Sequence, residues 1–225
     1  MSFSVWCGIS KLGVTVNTAL LVQYTSVAKD TVVMLAAVVG AYVALRGLST
    51  WNRQLKGGVE YDLTRRILKC TFRLREALKG VRNPVMLAYE MPLPPESESK
   101  NMSRQQLRHY GSANAYQKRW DRVTDVRTDL QTELLEAEAV WGRVIHEKFE
   151  PLFKLQQELF VSVHAYVSAC NPNESEQSRA IYEGVIRKRK NILYDHSSEN
   201  PDDFTIDVSN AIGVIESFLQ QHLRK

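Results

Sequence analysis

The sequence predicts an all-α protein in which a single N-terminal transmembrane helix precedes a cytoplasmic antiparallel helical bundle. An uncharged apolar stretch, residues 31–45, is followed directly by a segment rich in Lys and Arg, the order expected of a membrane span with a cytoplasmic flank. Apolar residues then recur every three or four positions, and no segment sustains the alternation of a β-strand. We therefore divide the chain into an N-terminal segment, residues 1–50, and a helical domain, residues 51–225.

The predicted span covers about residues 27–48. The uncharged stretch alone is short for a bilayer, whereas a helix over 27–48 is about 33 Å long and matches a hydrocarbon core of roughly 30 Å. Lys29 and Arg46 lie near its ends, where long basic side chains reach the interface. A buried core helix is the alternative for the same residues. A second, weaker span over residues 12–28 would instead make a hairpin that turns at Lys29 and Asp30.

The charge distribution predicts the orientation of the span. Ten Lys and Arg residues lie from Arg46 to Arg82, whereas only Lys11 and Lys29 precede the span. Basic residues concentrate on the cytoplasmic side of membrane helices. We therefore expect a membrane protein with its N-terminus outside and residues 49–225 in the cytoplasm. The hairpin alternative would place both ends inside.

The first helix of the bundle is predicted over residues 59–82. Its apolar residues alternate in steps of four and three, which is the spacing of a helical seam and is typical of a coiled coil. Asn83 and Pro84 end this helix, and residues 83–103 form a loop rich in Pro, Ser and Glu. The seam consists of Leu63, Ile67, Cys70, Leu74, Ala77 and Val81.

A second seam begins at Tyr116 and, with Arg127 as its one charged member, continues to Cys170. Two successive steps of four at Trp141, Ile145 and Phe149 shift the apolar stripe, as a stutter does, and Pro151 follows. We therefore expect one long helix with a kink or break near residue 150. Shorter helices are predicted over about 174–194 and from about 202 to the end, and the 59–82 helix should pack on the 116–144 seam.

Several segments resemble a family of uncharacterised bacterial membrane-anchored helical proteins. Residues 51–57 read W-N-R-Q-L-K-G, residues 60–65 read E-Y-D-L-T-R, and residues 82–84 read R-N-P. Residues 136–142, E-A-E-A-V-W-G, continue the resemblance, which covers the chain from about residue 30 onward. It implies one N-terminal span and a bacterial inner-membrane location, and it implies no catalytic residue or cofactor.

No catalytic, cofactor or metal site is predicted. His146 and Glu147 begin like a zinc-protease motif, but the chain has Glu150 where that motif needs its second His. The carboxylates between Glu133 and Glu150 lack the accompanying E-x-x-H of di-metal bundles, so we interpret them as a solvated or ion-paired face. The sequence also contains no phosphate-binding loop and no C-x-x-C.

The basic segment after the span suggests contact with an anionic membrane surface. Juxtamembrane Lys and Arg gain roughly 1 kcal/mol each beside an anionic leaflet, although the same charges could serve only to set topology. Nucleic acid is not expected as a partner, because the net charge of the whole chain is only +4. The candidate lipid-contact residues are Arg46, Arg53, Lys56, Arg65, Arg66 and Lys69.

Three functions remain open from the sequence. The first is a membrane-tethered helical interaction or scaffold module that binds a protein partner or a second copy through its apolar seams. The second is an effector or enzyme whose site is built from scattered Arg, Glu and Tyr residues on the bundle. The third is a sensor of anionic lipid or nucleic acid that uses the basic helix 53–82. The first is our primary hypothesis, because the chain combines a span and helical seams with no catalytic motif.

Overall fold

The computed structural model describes residues 9–188, 192–195 and 200–223, with side chains from residue 21 onward except those of residues 49–50 and 52–56. All regular elements in these residues are helices, which confirms the predicted all-α class. They are α1 (Ile9–Arg82), a 3₁₀ turn (Ala88–Glu90), α2 (Glu96–Ser99), α3 (Arg104–Trp141), α4 (Val144–Ala169), α5 (Glu176–Arg187) and α6 (Asp203–Leu223).

The chain forms two compact units that divide between Gly57 and Gly58. The boundary predicted from the sequence, at residue 50, lies seven residues earlier. In the first unit, Leu21–Leu48 is the one helical stretch among the described residues that is long and apolar enough to cross a membrane. All of its side chains are exposed. Helix α1 continues through Lys29 and Asp30 without a turn, so the hairpin alternative is wrong.

The second unit is an antiparallel bundle of the C-terminal part of α1 with α3, α4 and α6. Helix α3 runs opposite to α1, because Arg66 pairs with Glu133 and the later Arg73 pairs with the earlier Asp129. Helix α4 turns back along α3, which brings the Trp120 and Phe160 rings to 4.9 Å. The bundle confirms the predicted architecture of this part of the chain.

The apolar seams predicted from the sequence form the core of this bundle. All six members of the α1 seam are buried, and they share one cluster with Val123, Leu130 and Leu134 of α3 and with Phe149 and Leu159 of α4. Helix α6 completes the cluster with its own buried face. Most of the predicted seam residues are therefore covered within a single copy of the chain, although Val144 and Cys170 of the second seam are exposed. The α6 contribution consists of Phe204, Val208, Ala211, Ile212, Ile215 and Leu219.

The single kinked helix predicted over the second seam is wrong, because the chain breaks at Gly142 instead of near residue 150. Gly142 has a φ of 75° and a ψ of −171°, a conformation that glycine adopts without steric cost and that residues with a Cβ rarely adopt. Its N–H donates to the Glu138 carbonyl at 2.8 Å. Helix α4 then runs through Pro151, so the apparent stutter in the sequence is a reversal between two antiparallel helices.

The ends of the other helices differ less from the prediction. Helix α1 ends at Arg82 as predicted, and α3 begins after Ser103, whose hydroxyl accepts from the backbone N–H of Gln106 at 3.2 Å. The helix predicted over 174–194 ends earlier, since α5 spans Glu176–Arg187. Ile192 and Leu193 are buried, but in a non-helical segment that packs on the bundle. Their apolar character therefore indicates burial, but it does not indicate helical structure.

Candidate functional site

The six candidate lipid-contact residues do not form one site. Arg46 lies within Leu21–Leu48, with its guanidinium 5.7 Å from the centre of the Tyr42 ring. The side chains of Arg53 and Lys56 lie outside the described residues. The other three, Arg65, Arg66 and Lys69, belong to the bundle unit and are exposed there.

Arg65 and Lys69 line a groove of about 690 Å³ between α1 and α3, which we call the basic groove. Its apolar floor includes Leu68 and Phe72, which are half-buried, and Val126, which is buried. Four cationic side chains and two carboxylates surround this floor, so the groove carries an excess of positive charge. The cationic residues are Arg65, Lys69, Arg73 and Arg122, and the carboxylates are Glu76 and Asp125.

Two exposed ion pairs border the basic groove. Arg73 contacts Asp129 at 2.9 Å, and Arg75 contacts Glu76 at 2.9 Å while its guanidinium lies 5.2 Å from the centre of the Phe72 ring. Exposed pairs contribute at most about 1 kcal/mol each. They neutralise part of the local charge, and Arg65, Lys69 and Arg122 provide the remaining positive potential.

Arg66 points away from the basic groove and joins α1 to α3. Its Nε donates to Glu133 at 2.8 Å, and a terminal nitrogen donates to Glu136. Hydrogen bonding to Glu133, and then to Glu136, raises the pKa of Arg66. Two of the carboxylates noted in the sequence are therefore used in an ion-paired contact between helices.

Buried Arg119 on α3 fixes the loop after α1. It donates to the carbonyls of Asn83 and Val85, both at 2.6 Å, and makes two bonds to the Glu90 carboxylate at 2.9 and 2.8 Å. The hydrogen bond from Arg119 is the main reason why the pKa of Glu90 falls to about 2, and the Leu87 N–H supports the same shift. The clamped loop leaves Val85, Leu87 and Tyr89 exposed. Their exposure gives the bundle an apolar surface just beyond the end of α1.

Arg82, the last residue of α1, fastens α1 to the start of α6. Its side chain is nearly fully buried and donates to the Ile192 carbonyl at 2.8 Å, the Thr205 hydroxyl at 2.7 Å and Asp202 at 2.6 Å. Its guanidinium also lies 4.8 Å from the centre of the Phe204 ring. From the sequence, Arg82 is one of the basic residues that predict the orientation of the span. No local pattern predicts its distant partners.

Arg127, the charged exception in the second seam, is half-buried between α3 and α4. Its guanidinium stacks on Phe153 of α4, 3.0 Å from the ring centre. Among the described residues, one terminal nitrogen is buried without a hydrogen-bond partner, and burial lowers the pKa of Arg127 to about 10. A cation at an apolar seam position was the sequence signal for this environment.

The comparisons with known proteins add no functional information. No family model, curated protein or solved structure matches this chain. Within the described part of the chain, no three His, Cys, Asp or Glu side chains are grouped so that they could hold a metal ion. The resemblance to bacterial membrane-anchored proteins stays a prediction. The candidate site therefore rests on its geometry alone.

Proposed function

We propose that this chain is a membrane-tethered helical interaction module. Its N-terminal helix crosses the bacterial inner membrane, and its bundle acts in the cytoplasm as a scaffold for a protein partner. The observation that carries the proposal is the contrast between the two units. Every side chain of Leu21–Leu48 is exposed although the stretch is strongly apolar, whereas the bundle unit encloses its own core.

A lipid bilayer is the environment that fits the exposed helix. Leu21–Leu48 has 28 residues, or about 42 Å of helix, which is enough to cross a hydrocarbon core of roughly 30 Å with some tilt. Its backbone groups are satisfied within the helix, as a lipid environment requires. The ten Lys and Arg residues from Arg46 to Arg82 support the cytoplasmic orientation of the bundle.

The partner would contact the outer surface of the bundle, because its seams are internal. The exposed apolar side chains of the clamped loop, Val85, Leu87 and Tyr89, are one available surface. The positively charged basic groove is a second. The sequence-based expectation of a coiled coil or a homo-oligomer formed through the apolar seams stays a prediction.

The tether is tested by deleting residues 1–50. We expect the full chain to stay in the membrane fraction after carbonate extraction, because carbonate strips peripheral proteins and leaves spanning helices in place. The deleted chain should move to the soluble fraction and keep the helical circular dichroism spectrum of the bundle. A deleted chain that remained folded and membrane-bound after carbonate would contradict the tether.

The orientation is tested with a reporter at each end. An alkaline phosphatase reporter is active only outside the cytoplasm, whereas a green fluorescent protein reporter is fluorescent only inside it. We expect phosphatase activity at the N-terminus and fluorescence at the C-terminus. A C-terminal phosphatase that was active would reverse the proposed orientation.

The basic groove supports a second candidate function, which is contact with anionic lipid. Arg65 and Lys69 lie beside apolar Leu68 and Phe72, so cations and apolar groups share one surface. Each cation contributes roughly 1 kcal/mol to the free energy of binding an anionic membrane. We therefore expect Arg65→Gln with Lys69→Gln to weaken vesicle binding by about 30-fold. Flotation of residues 58–225 with phosphatidylglycerol vesicles measures this change.

A matched control separates the groove from general charge effects. Lys100→Gln with Arg104→Gln removes two equally exposed cations from elsewhere on the bundle unit. This control should bind vesicles within a few-fold of the unaltered fragment. Equal losses in both double variants would mean that net charge, and not the groove, determines lipid binding.

A further inference from the structure

A second cavity, of about 380 Å³, lies where the first turns of α3 meet the end of α4 and the start of α5. We call it the anion cradle. Arg108 and His109 line it from α3, Tyr166 from α4 and Arg179 from α5. Among the described residues, no Asp or Glu lines this cavity. The cradle therefore carries the two positive charges of Arg108 and Arg179.

The absence of a lining carboxylate distinguishes this cradle from the environments of Arg66, Arg82 and Arg119. Arg66, Arg82 and Arg119 each bond a carboxylate. In contrast, the Nε–H of Arg179 is buried without a hydrogen-bond partner in the described structure. One of its terminal nitrogens donates to the Asn171 carbonyl at 3.3 Å. Folding thus holds a partly desolvated guanidinium in a cavity with a second arginine and leaves its Nε–H without an acceptor among the described residues.

We propose that the anion cradle binds a phosphate group, either as inorganic phosphate or as the head of a small phosphate monoester. A phosphate dianion neutralises the two guanidinium groups, and the planar donor fork of Arg pairs with phosphate oxygens through two parallel hydrogen bonds. The cradle also offers neutral donors in the Ser112 hydroxyl and the Gln105 amide.

The size and composition of the cradle fit a small ligand. Its volume lies within the range of ligand pockets, and it is larger than one phosphate needs. Ala113, Val167 and Pro172 form an apolar part of the lining, where the organic portion of a monoester would lie. The site does not depend on the membrane tether, so a failure of the phosphate proposal would leave the proposed function untouched, and the reverse is also true.

Isothermal titration calorimetry of the full chain in a non-ionic detergent tests the proposal. At about pH 8 phosphate is mostly a dianion. One arm uses sodium phosphate, a second uses glycerol 3-phosphate, and a third uses sodium chloride at matched ionic strength. We expect saturable binding in at least one phosphate arm and none with chloride. Tighter binding of glycerol 3-phosphate would identify a monoester as the ligand, and tighter binding of inorganic phosphate would identify the free ion.

Substitutions assign the binding to the cradle. Arg108→Gln and Arg179→Gln should each weaken phosphate binding by at least about tenfold, because each removes a charge-assisted pair. Arg187→Gln is the control on α5, since its exposed side chain pairs with Glu183 and does not line the cavity. It should leave the affinity unchanged.

Loss of folding cannot be mistaken for loss of binding in this series. Arg108 is exposed, so Arg108→Gln should keep the wild-type circular dichroism spectrum and melting temperature even if Arg179→Gln does not. The proposal is overturned if neither sodium phosphate nor glycerol 3-phosphate shows saturable binding. It is also overturned if a folded Arg108→Gln variant binds as tightly as the unaltered chain, or if Arg187→Gln weakens binding as much as the cradle variants do.

Discussion

Replacing Leu134 by Asp should unfold the helical bundle, whereas the same substitution at the adjacent Leu135 should leave it folded. Leu134 is 1% exposed at the centre of the α3 seam, and Leu135, the next residue, is 66% exposed. Asp at position 134 would bury a charge among apolar side chains and would lose the packing of a core leucine, each at a cost of several kcal/mol. Together these costs approach the total stability of a typical domain, about 5–15 kcal/mol.

Thermal melting of residues 58–225 followed by circular dichroism measures this difference. Leu74→Asp on α1 should behave like Leu134→Asp, because Leu74 is fully buried in the same cluster. Leu135→Asp introduces the same charge one residue away and so controls for helix propensity and net charge. If Leu134→Asp melted at the wild-type temperature, the predicted seam would not be the core of the bundle.

Replacing Arg119 by Gln should lower the free energy of unfolding by several kcal/mol at neutral pH. The Arg119–Glu90 pair is largely buried, with side chains 8% and 13% exposed. Removal of one partner from a buried ion pair typically costs 3–5 kcal/mol, because the remaining charge stays desolvated. The carbonyls of Asn83 and Val85 would lose their donors as well. Arg122→Gln, an exposed substitution one turn along α3, is the control and should have little effect.

The same pair predicts how stability depends on pH. The pKa of Glu90 is lowered from 4.5 to about 2 in the folded chain, so its ionised form stabilises the fold at pH values above its unfolded pKa. That stability is lost as the pH falls from about 4.5 towards 2. We expect Glu90→Gln to flatten this part of the acid denaturation curve. An unchanged curve in Glu90→Gln would show that other carboxylates determine the acid transition.

The double variant isolates the coupling between the two side chains. Arg119→Gln with Glu90→Gln removes both charges, so no carboxylate remains buried without its cation. It should be more stable at neutral pH than Arg119→Gln alone. Strictly additive losses would mean that Arg119 acts through the loop carbonyls and not through Glu90.

The helical seams were predictable because their spacing reports burial directly. A residue every three or four positions returns to the same face of a helix, so Leu63, Leu74 and Leu134 could be assigned to the core without their partners. The reversal at Gly142 was not predictable in the same way. Steps of four across Trp141, Ile145 and Phe149 arise both from a stutter and from two helices that meet at a turn. Only the positive φ of Gly142 distinguishes the two cases.

The roles of the basic residues were less accessible to sequence analysis. Composition predicted a cationic segment after the span, but it could not distinguish exposed Arg65 from Arg66, which bonds a carboxylate 67 residues away. Such pairs depend on how distant helices meet, and an ordinary charge pattern carries no sign of them. Arg127 is the exception, because a cation within an apolar seam is visible in the sequence.

The order of the ion-pair partners along the chain has a consequence for biosynthesis. Arg66, Arg73 and Arg82 leave the ribosome before the acids that bind them, which follow 56 to 120 residues later. During synthesis these cations are therefore not yet bound to their final partners. Under the proposed function, this is the stage at which the apolar helix takes its orientation in the membrane. The partners of Arg82 are complete only after residues up to Thr205 have been made. The same arginines thus precede their final partners on the nascent chain and later join helices of the folded bundle, Arg66 and Arg73 at its surface and Arg82 in its interior.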